Sequence, residues 1–280
     1  MWSNGQTDMP SAFDLDSYFA RIGYEGSGAP SPETLISIHR LHPQAIPFEN
    51  LDPFLRRPVL LDAVSLHRKL VEGQRGGYCY EHNLLLGHVL KELGFDITGL
   101  AARVLWKIPE GLVRPRSHML LLIRVDGTRY VADVGFGGLT LTSPLRLEVD
   151  IEQPTPHEPF RLRTAGDGFV MEAQIAATWK PLYRFDLQEQ FLVDYEVSSW
   201  YLSNHPASPF ITSLMAARPD CGRRYALHNN RFTVHPLDGD TETRAVASSA
   251  ELREILETVF RIALPGGPEV GAALQSLTES

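Results

Sequence analysis

The sequence predicts an α+β fold in which a helical amino-terminal part is followed by a mostly antiparallel sheet. Apolar residues recur at helical spacing through residues 1–95. From residue 96 to about residue 186, short alternating or apolar runs separated by turn residues replace that pattern. The remaining chain mixes both patterns. The sequence therefore predicts three successive parts, with a curved antiparallel sheet or barrel in the middle.

The composition is that of an ordinary globular protein. Of the 280 residues, 43% are hydrophobic and 21% are charged, so a sizeable core can form without disulfides. The longest conspicuous apolar run, MLLLI at residues 119–123, has the length of a strand, whereas a membrane-spanning helix needs about 18 residues or more. The opening segment MWSNGQTDMPSAFD has neither the basic region nor the apolar core of a secretory signal. We therefore expect a soluble, cytoplasmic protein.

Charge and cysteine content argue against several classes of function. The formal net charge is −8, and Lys and Arg are scattered along the chain, which argues against a nucleic-acid or anionic membrane surface. Cys79 and Cys221 belong to no CxxC pair. The histidines form no HExxH or paired metal signature. We therefore expect no metal, and any thiol chemistry should depend on one cysteine.

Helices of the first part are marked by their start and stop signals. Residues 13–23 and 61–73 carry apolar residues at helical spacing. Ser31 followed by Pro32 is a cap and a first-turn proline, which predicts the start of another helix. A fourth helix, rich in leucine, is predicted directly after the glycine pair in RGGYCYEHN, residues 75–83.

The strongest hairpin signal of the middle part is Asp126-Gly127, which lies between two apolar runs. A two-residue type I′ turn there places Val125 opposite Thr128 and fixes the pairing of both strands. The sequence therefore predicts not only a hairpin but its register.

That register brings a histidine and an aspartate together. Asp133 lies opposite Leu120, and His118 is two residues from Leu120 and so shares its face of the sheet. The two are then diagonal neighbours, roughly 7 to 8 Å apart at the backbone. Because burying an imidazole and a carboxylate among apolar residues is costly, we expect them to hydrogen-bond to each other. A purely structural pair remains the alternative.

The third part is predicted to return to mixed structure. Residues 187–204 have a helical pattern, and strand-like runs follow in ITSLMAARP, YALHNN and RFTVHP. Residues 248–260 predict a closing helix, with Ser249 as its cap. The final residues, LPGGPEVGAALQSLTES, are predicted to be a tail without assigned structure.

Cys79 lies between the glycine pair and the predicted helix. Backbone N–H groups and the positive end of the helix dipole favour the thiolate form of a cysteine at such a position. The glycines Gly76 and Gly77 allow a sharp turn and a close approach by substrate. A buried, unreactive cysteine is the alternative, because free cysteine is among the most buried residue types.

Together Cys79, His118 and Asp133 meet the requirements of a catalytic triad. The cysteine would be the nucleophile, the histidine the base and later the acid, and the aspartate would fix the imidazole tautomer. The order Cys, His, Asp, with the cysteine on a helix and the others on neighbouring strands, is that of papain-like thiol enzymes.

Five motifs resemble those of the prokaryotic-type arylamine N-acetyltransferases, in the right order: IPFENLD, RGGYCYEHN, SHMLLLI, YVADVGFGG and SNHPASPF. The resemblance covers essentially residues 10–265. It implies a helical bundle over residues 1–95 that carries the nucleophile, an antiparallel β-barrel over 96–200 that carries His and Asp, and an α/β lid over 201–280.

The same resemblance implies an activity. Cys79 matches the acetyl-accepting cysteine of the family, His118 its histidine and Asp133 its aspartate. The implied reaction is a ping-pong transfer from acetyl-CoA, through an acetyl-cysteine thioester, to small aromatic amines and hydrazines. Neither nucleic acid nor membrane is an implied partner, and a monomer and a homodimer both remain open.

The resemblance also implies binding residues. The acceptor pocket would be lined by Phe48, Val104, Phe136 and Phe210, and the pantetheine arm of acetyl-CoA would pass Gly135, Gly137 and Gly138. Core packing is the alternative for the apolar residues, and an ordinary loop is the alternative for the glycines. Arg75 and Glu49 resemble residues that hold the cysteine turn. His82 lies in a position where the family varies, one helical turn from Cys79, and its role stays open.

Three other functions remain possible from the sequence. A Cys-His-Asp amidase or hydrolase would use the same residues but let water attack the acyl-enzyme. An amide synthase would use a larger acyl donor. A binding module with a degenerate site is disfavoured, because all three residues of the triad are present.

Overall fold

The computed structural model describes residues 14–109 and 111–279. Within these ranges the helices are α1 (Leu15–Ile22), α2 (Pro32–Ala45), α3 (Leu51–Phe54), α4 (Ala63–His67), α5 (Cys79–Glu92), α6 (Leu192–Asn204), α7 (Pro209–Thr212), α8 (Ser249–Glu254) and α9 (Pro268–Thr278). Two π-helical segments, Arg68–Glu72 and Ile255–Val259, continue α4 and α8. Phe13, where the first helix was predicted to begin, lies outside the described residues. No helix in the described ranges has both the length and the apolar character needed to span a membrane.

The strands form two antiparallel sheets. They are β1 (Phe48–Glu49), β2 (Asp96–Val104), β3 (Arg116–Val125), β4 (Thr128–Ala132), β5 (Leu145–Arg146), β6 (Phe160–Ala165), β7 (Gly168–Ile175), β8 (Thr178–Phe185), β9 (Met215–Asp220), β10 (Arg223–His228), β11 (Arg231–Pro236) and β12 (Glu242–Ala245). One sheet has the order β5-β4-β3-β2-β8-β7-β6 and the other β1-β9-β10-β11-β12. Bridges from Val149 to Leu162 and from Gln153 to Phe160 nearly close the larger sheet into a barrel. The predicted α+β fold is therefore confirmed.

The hairpin between β3 and β4 has the predicted register. Val125 pairs with Thr128, and the pairing continues to Leu121 and Ala132. Asp126 and Gly127 have φ values of 48° and 72°, the left-handed conformation that a type I′ turn requires. The predicted register of the two strands is therefore confirmed.

Strand β3 is buried on both faces, which explains its continuous apolar sequence. Leu120 and Leu122 point into the barrel core, whereas Met119, Leu121 and Ile123 pack against the helices. A strand covered on both faces loses the apolar and polar alternation of a half-exposed strand. Strand β3 thus joins the helical part to the barrel.

A third core lies between the smaller sheet and the carboxy-terminal helices. Val270 and Leu274 of α9 are buried there, so the segment without assigned structure in the sequence contains a packed helix. Strand β1 comes from the amino-terminal part but pairs with β9, which the sequence did not indicate. The division at residues 95 and 200 stays a prediction.

The cap of α8 lies one residue earlier than predicted. Ser248, not Ser249, accepts a hydrogen bond from the backbone N–H of Glu251 at 3.2 Å. The Glu251 carboxylate in turn accepts from the N–H of Ala247 at 3.0 Å. Two adjacent serines made the choice ambiguous, and the glutamate three residues after Ser248 completes a capping arrangement.

A buried arginine connects the two sheets. Arg224 of β10 is only 2% exposed and donates to the Glu158 carboxylate at 2.7 Å and to the Thr140 carbonyl at 3.0 Å. Burial would raise the pKa of Glu158, but the charge and hydrogen bonds of Arg224 outweigh it and lower the pKa. This ion pair ties the smaller sheet to the barrel.

We expect Arg224→Ala to lower the free energy of unfolding by about 3 kcal/mol, because it leaves the Glu158 carboxylate without its charged partner. Urea titration followed by circular dichroism measures the change. The control is Arg223→Ala, since Arg223 is the neighbouring exposed residue and its removal should change stability by no more than about 0.5 kcal/mol. Equal effects of the two substitutions would contradict this role.

Candidate active site

Cys79 is the first residue of α5 and is 4% exposed. The N–H of Tyr78, just before it, donates to the Glu81 carboxylate at 3.0 Å, so α5 begins with one half of a capping box. The cysteine therefore lies where backbone N–H groups and the helix dipole favour a negative charge.

The glycine pair before Cys79 is required by close packing. A Cβ at Gly76 would lie 2.0 Å from the Pro47 carbonyl oxygen, and one at Gly77 would lie 2.6 Å from the Glu81 carboxylate. Neither glycine has a positive φ. Besides the sharp turn and the substrate approach expected of them, the two glycines thus let the chain pack against Pro47 and Glu81.

Ion pairs lie beneath the same turn. Arg75 donates to Glu49 at 2.8 Å and to Asp52 at 3.2 Å, and Lys69 contacts Glu81 at 2.6 Å and Asp52 at 2.5 Å. Arg75 and Glu49, which resemble residues that hold the cysteine turn, are therefore in contact with each other. Because each buried carboxylate has a cationic partner, the network meets the condition under which charges are tolerated in an interior.

His118 and Asp133 meet as the hairpin register predicted. Nε2 of His118 lies 2.7 Å from Oδ2 of Asp133, and both side chains are buried. The short distance marks a charge-assisted hydrogen bond. Because Nε2 is bound to the carboxylate, Nδ1 is the ring nitrogen that remains for a hydrogen bond with Cys79.

The surroundings of this pair favour its ionised form. Burial would lower the pKa of His118, but the charge and hydrogen bond of Asp133, together with the Cys79 thiol, raise it to about 10. Burial would likewise raise the pKa of Asp133, and the charge of His118 with three hydrogen bonds lowers it instead. His118 is therefore an imidazolium at neutral pH.

Two residues that the sequence argument missed hold Asp133. The Asn83 side chain donates to the carboxylate at 3.0 Å and accepts from the N–H of Val134 at 3.1 Å. The N–H of Asp133 donates to Nε2 of His39 at 3.1 Å. Asn83 was detectable, because it lies four residues after Cys79 on the same helix face, whereas nothing near His39 in the sequence indicates this contact.

Gly135 brings the loop after Asp133 against Cys79. A Cβ there would lie 2.7 Å from the Cα of Cys79. The Sγ atom of Cys79 lies 3.7 Å from the Ser117 carbonyl oxygen, beside His118. The start of α5, the strand with His118 and the loop after Asp133 therefore meet at one point.

A cavity of about 630 Å³ opens above Cys79 and His118. It is lined by all the predicted binding residues: Phe48, Val104, Gly135, Phe136, Gly137, Gly138 and Phe210. Phe136 and Tyr183 pack against His118, with ring centroids 5.1 and 4.9 Å from the imidazole. Trp106, Tyr201 and Met215 also line the cavity, and the sequence argument singled out none of them.

His82 is directed away from the nucleophile. Its Nε2 lies 3.1 Å from the Pro47 carbonyl oxygen, and its Nδ1 lies 3.0 Å from Nε2 of His42. Elsewhere in residues 14–109 and 111–279, no three His, Cys, Asp or Glu side chains are grouped so that they could hold a metal ion. Cys79 thus has the His118 imidazole, and not that of His82, as its neighbour.

Comparisons with known proteins point to one family. A model of the N-acetyltransferase family matches residues 32–269. The arylamine N-acetyltransferase of Mycobacterium tuberculosis is 45% identical over 265 residues, which cover 93% of each chain. Its solved structure has a TM-score of 0.90 at 44% identity, and the match covers 95% of this chain and 100% of that one. The Mycobacterium marinum enzyme, solved in complex with CoA, has a TM-score of 0.91 at 39% identity, and the match covers 94% of this chain and 99% of that one.

Removal of the Asp133 charge should change the reactivity of Cys79. In Asp133→Asn the burial of His118 remains while the carboxylate charge is lost, so the pKa of His118 should fall from about 10. The positive charge beside the Cys79 sulfur is then lost. We expect alkylation of Cys79 by iodoacetamide at pH 7, followed by intact-mass spectrometry, to slow by at least about ten-fold.

Stability gives a second readout with a defined sign. Because the pKa of His118 is raised from 6.5 to about 10, its contribution is complete below pH 6.5 and is lost as the pH rises towards 10. The destabilisation caused by Asp133→Asn should therefore be larger at pH 6 than at pH 10. Asp126→Asn, in the exposed turn of the same hairpin, is the control. An equal loss at both pH values would contradict the assigned ion pair.

Proposed function

Since the chain belongs to the arylamine N-acetyltransferases and is an acyltransferase, we propose that it transfers acetyl from acetyl-CoA to aromatic amines and hydrazines by a ping-pong mechanism. The observation that carries this proposal is the position of Cys79 in the lining of the cavity, beside the His118 imidazole that Asp133 holds. The CoA complex of the M. marinum relative supports acetyl-CoA as the donor.

In the first half-reaction, the Cys79 thiolate attacks the carbonyl carbon of acetyl-CoA. A carbon–sulfur bond forms to Sγ, and the bond between that carbon and the CoA sulfur breaks. The leaving sulfur takes a proton from His118, so CoA departs as a thiol and the enzyme holds an acetyl thioester. The amino end of α5 supplies positive potential for the oxyanion of the tetrahedral intermediate.

In the second half-reaction, the amine nitrogen attacks the thioester carbonyl. His118, now neutral, accepts a proton from that nitrogen, and the carbon–sulfur bond to Cys79 breaks. The amide leaves, and the thiolate and imidazolium are restored. Asp133 stays ionised throughout, and its hydrogen bond to Nε2 keeps Nδ1 directed at the reacting atoms.

Aromatic acceptors suit the walls of the cavity. Phe48 and Phe210 have ring centroids 6.1 Å apart, and Phe136 borders His118. Flat rings pack well against such side chains. We assign these residues and Val104 to acceptor binding. Gly135, Gly137 and Gly138 are assigned to the pantetheine arm, because a backbone without side chains lets a thin chain pass closely.

The two alternative functions, hydrolase and amide synthase, differ from this proposal in the acyl acceptor and in the acyl donor, respectively. A hydrolase would release the acyl group to water, and an amide synthase would prefer a larger acyl donor. Cys79 and His118 are each less than 5% exposed, and such burial limits the access of water to a thioester. This observation favours transfer to an amine over hydrolysis.

Acetyl-CoA without acceptor should add one acetyl group to the protein, located on Cys79 by peptide mapping. Addition of an aromatic hydrazine should discharge it with formation of the N-acetyl hydrazide. Intact-mass spectrometry follows both steps. Cys221→Ser, which changes the exposed second cysteine, is the matched control and should load normally, whereas Cys79→Ser should not load.

Three outcomes would refute the proposal in different ways. Loading of Cys79→Ser would exclude the nucleophile. Discharge at the same rate with and without hydrazine would favour a hydrolase. Failure to load from acetyl-CoA, combined with loading from longer acyl-CoA donors, would favour the amide synthase.

A further inference from the structure

A chain of hydrogen bonds runs behind the nucleophile through four segments of the protein. The Tyr18 hydroxyl of α1 lies 2.8 Å from Nδ1 of His42 in α2. Nε2 of His42 lies 3.0 Å from Nδ1 of His82 in α5, and Nε2 of His82 lies 3.1 Å from the Pro47 carbonyl oxygen. The side chains of Tyr18, His42 and His82 are fully buried, so no solvent completes these bonds.

The last acceptor fixes the direction of the whole chain. A carbonyl oxygen only accepts, so Nε2 of His82 carries a proton and its Nδ1 is free to accept from His42. Nε2 of His42 therefore also carries a proton, and its Nδ1 accepts from the Tyr18 hydroxyl. Both imidazoles are neutral and have the same tautomer, because protonation of either would remove an acceptor.

The charges around the two rings are consistent with this state. Burial is the main cause that lowers the pKa of His82, to about 4, although Glu49 and the carbonyls of Pro47 and Gly77 act in the opposite direction and Lys69 acts with burial. Burial also lowers the pKa of His42, and His82, His39 and Arg21 add to that effect. Neutral imidazoles at pH 7 follow.

The Pro47 carbonyl connects this chain to the nucleophile turn. It also accepts from the N–H of Gly77 at 3.3 Å, and the Gly77 carbonyl accepts from the N–H of Glu49 at 2.8 Å. Gly77 is two residues from Cys79. Pro47 directly precedes Phe48, which lines the cavity. One carbonyl therefore fixes both the turn that carries the thiol and a wall of the site.

We propose that His82, supported by His42 and Tyr18, is a positioning residue that holds the Pro47 carbonyl and thereby sets the position of the Cys79 thiol relative to His118. The inference rests on the proposed function, in which Cys79 carries the acyl group. His82 touches none of the reacting atoms, so it acts through the turn. A displacement of a reacting group by about 1 Å can cost roughly a hundred-fold in rate.

Two amide substitutions separate the positioning role from simple packing. His82→Gln places an amide nitrogen where Nε2 donates to Pro47, whereas His82→Asn can replace only the nearer Nδ1 and does not reach the carbonyl. We expect alkylation of Cys79 by iodoacetamide at pH 7 to slow by at least about ten-fold in the asparagine variant. The glutamine variant should stay within about three-fold of the unsubstituted protein.

Alkylation needs no acetyl donor, so this result is independent of the proposed reaction. If loading from acetyl-CoA also occurs, its maximal rate should fall in the asparagine variant while the acetyl-CoA concentration for half-maximal loading stays unchanged. Normal alkylation in a folded His82→Asn variant would overturn the proposal, as would equal defects in both variants. Absence of loading in every variant, with the alkylation pattern intact, would refute only the proposed function.

The unsubstituted protein provides a test that does not depend on the folding of a variant. Long-range ¹H–¹⁵N correlation spectra at pH 7 should show His42 and His82 as neutral imidazoles with the proton on Nε2. An imidazolium, or a proton on Nδ1 of either ring, would overturn the proposal. In either case the Pro47 carbonyl would lose its hydrogen-bond donor, or the hydrogen bonds from Tyr18 to Pro47 would no longer all run in one direction.

Discussion

The contact between His118 and Asp133 is the constraint around which the rest of the site is built. Two groups that would each resist ionisation when buried are kept ionised by each other. Such a pair is tolerated only when the remaining polar atoms also have partners. The Asn83 side chain and the N–H of Gly135 donate the remaining hydrogen bonds to the Asp133 carboxylate. His39 of α2 accepts a hydrogen bond from the backbone N–H of Asp133, so helices α2 and α5 both hold this residue, one through its backbone and one through its carboxylate.

The site uses two different solutions for polar groups in an interior. Beneath the turn before Cys79, Arg75 and Lys69 contact three carboxylates, so each of these buried carboxylates has a cationic partner. Behind the same turn, His42 and His82 are neutral and linked donor to acceptor. Ion pairs tolerate small shifts, because attraction between charges falls slowly with distance. Hydrogen bonds are more directional, so the linked imidazoles suit the proposed role of setting the distance between the Cys79 thiol and His118.

Turn and helix-start signals in the sequence predict those parts of the site that lie close together along the chain or within one hairpin. The Asp126-Gly127 turn determines the strand register, and that register places His118 beside Asp133. The helix start at Cys79 follows from its neighbours in the same way. His39 could not be found so, because its contact with Asp133 spans 94 residues and depends on how α2 packs. The pairing of β1 with β9 was missed for the same reason, since a two-residue strand has no periodicity.

Strand β1 gives the site an unusual mechanical connection. Phe48 pairs with Ala217 of β9 on one side and bridges to Gly77, two residues before Cys79, on the other. A rigid-body displacement of that sheet would therefore pull on the segment that carries the thiol. Backbone pairing thus connects the smaller sheet directly to the turn before Cys79. A change in the smaller sheet far from the cavity, such as a substitution in β9, would then reach the site through Phe48, which lines the cavity.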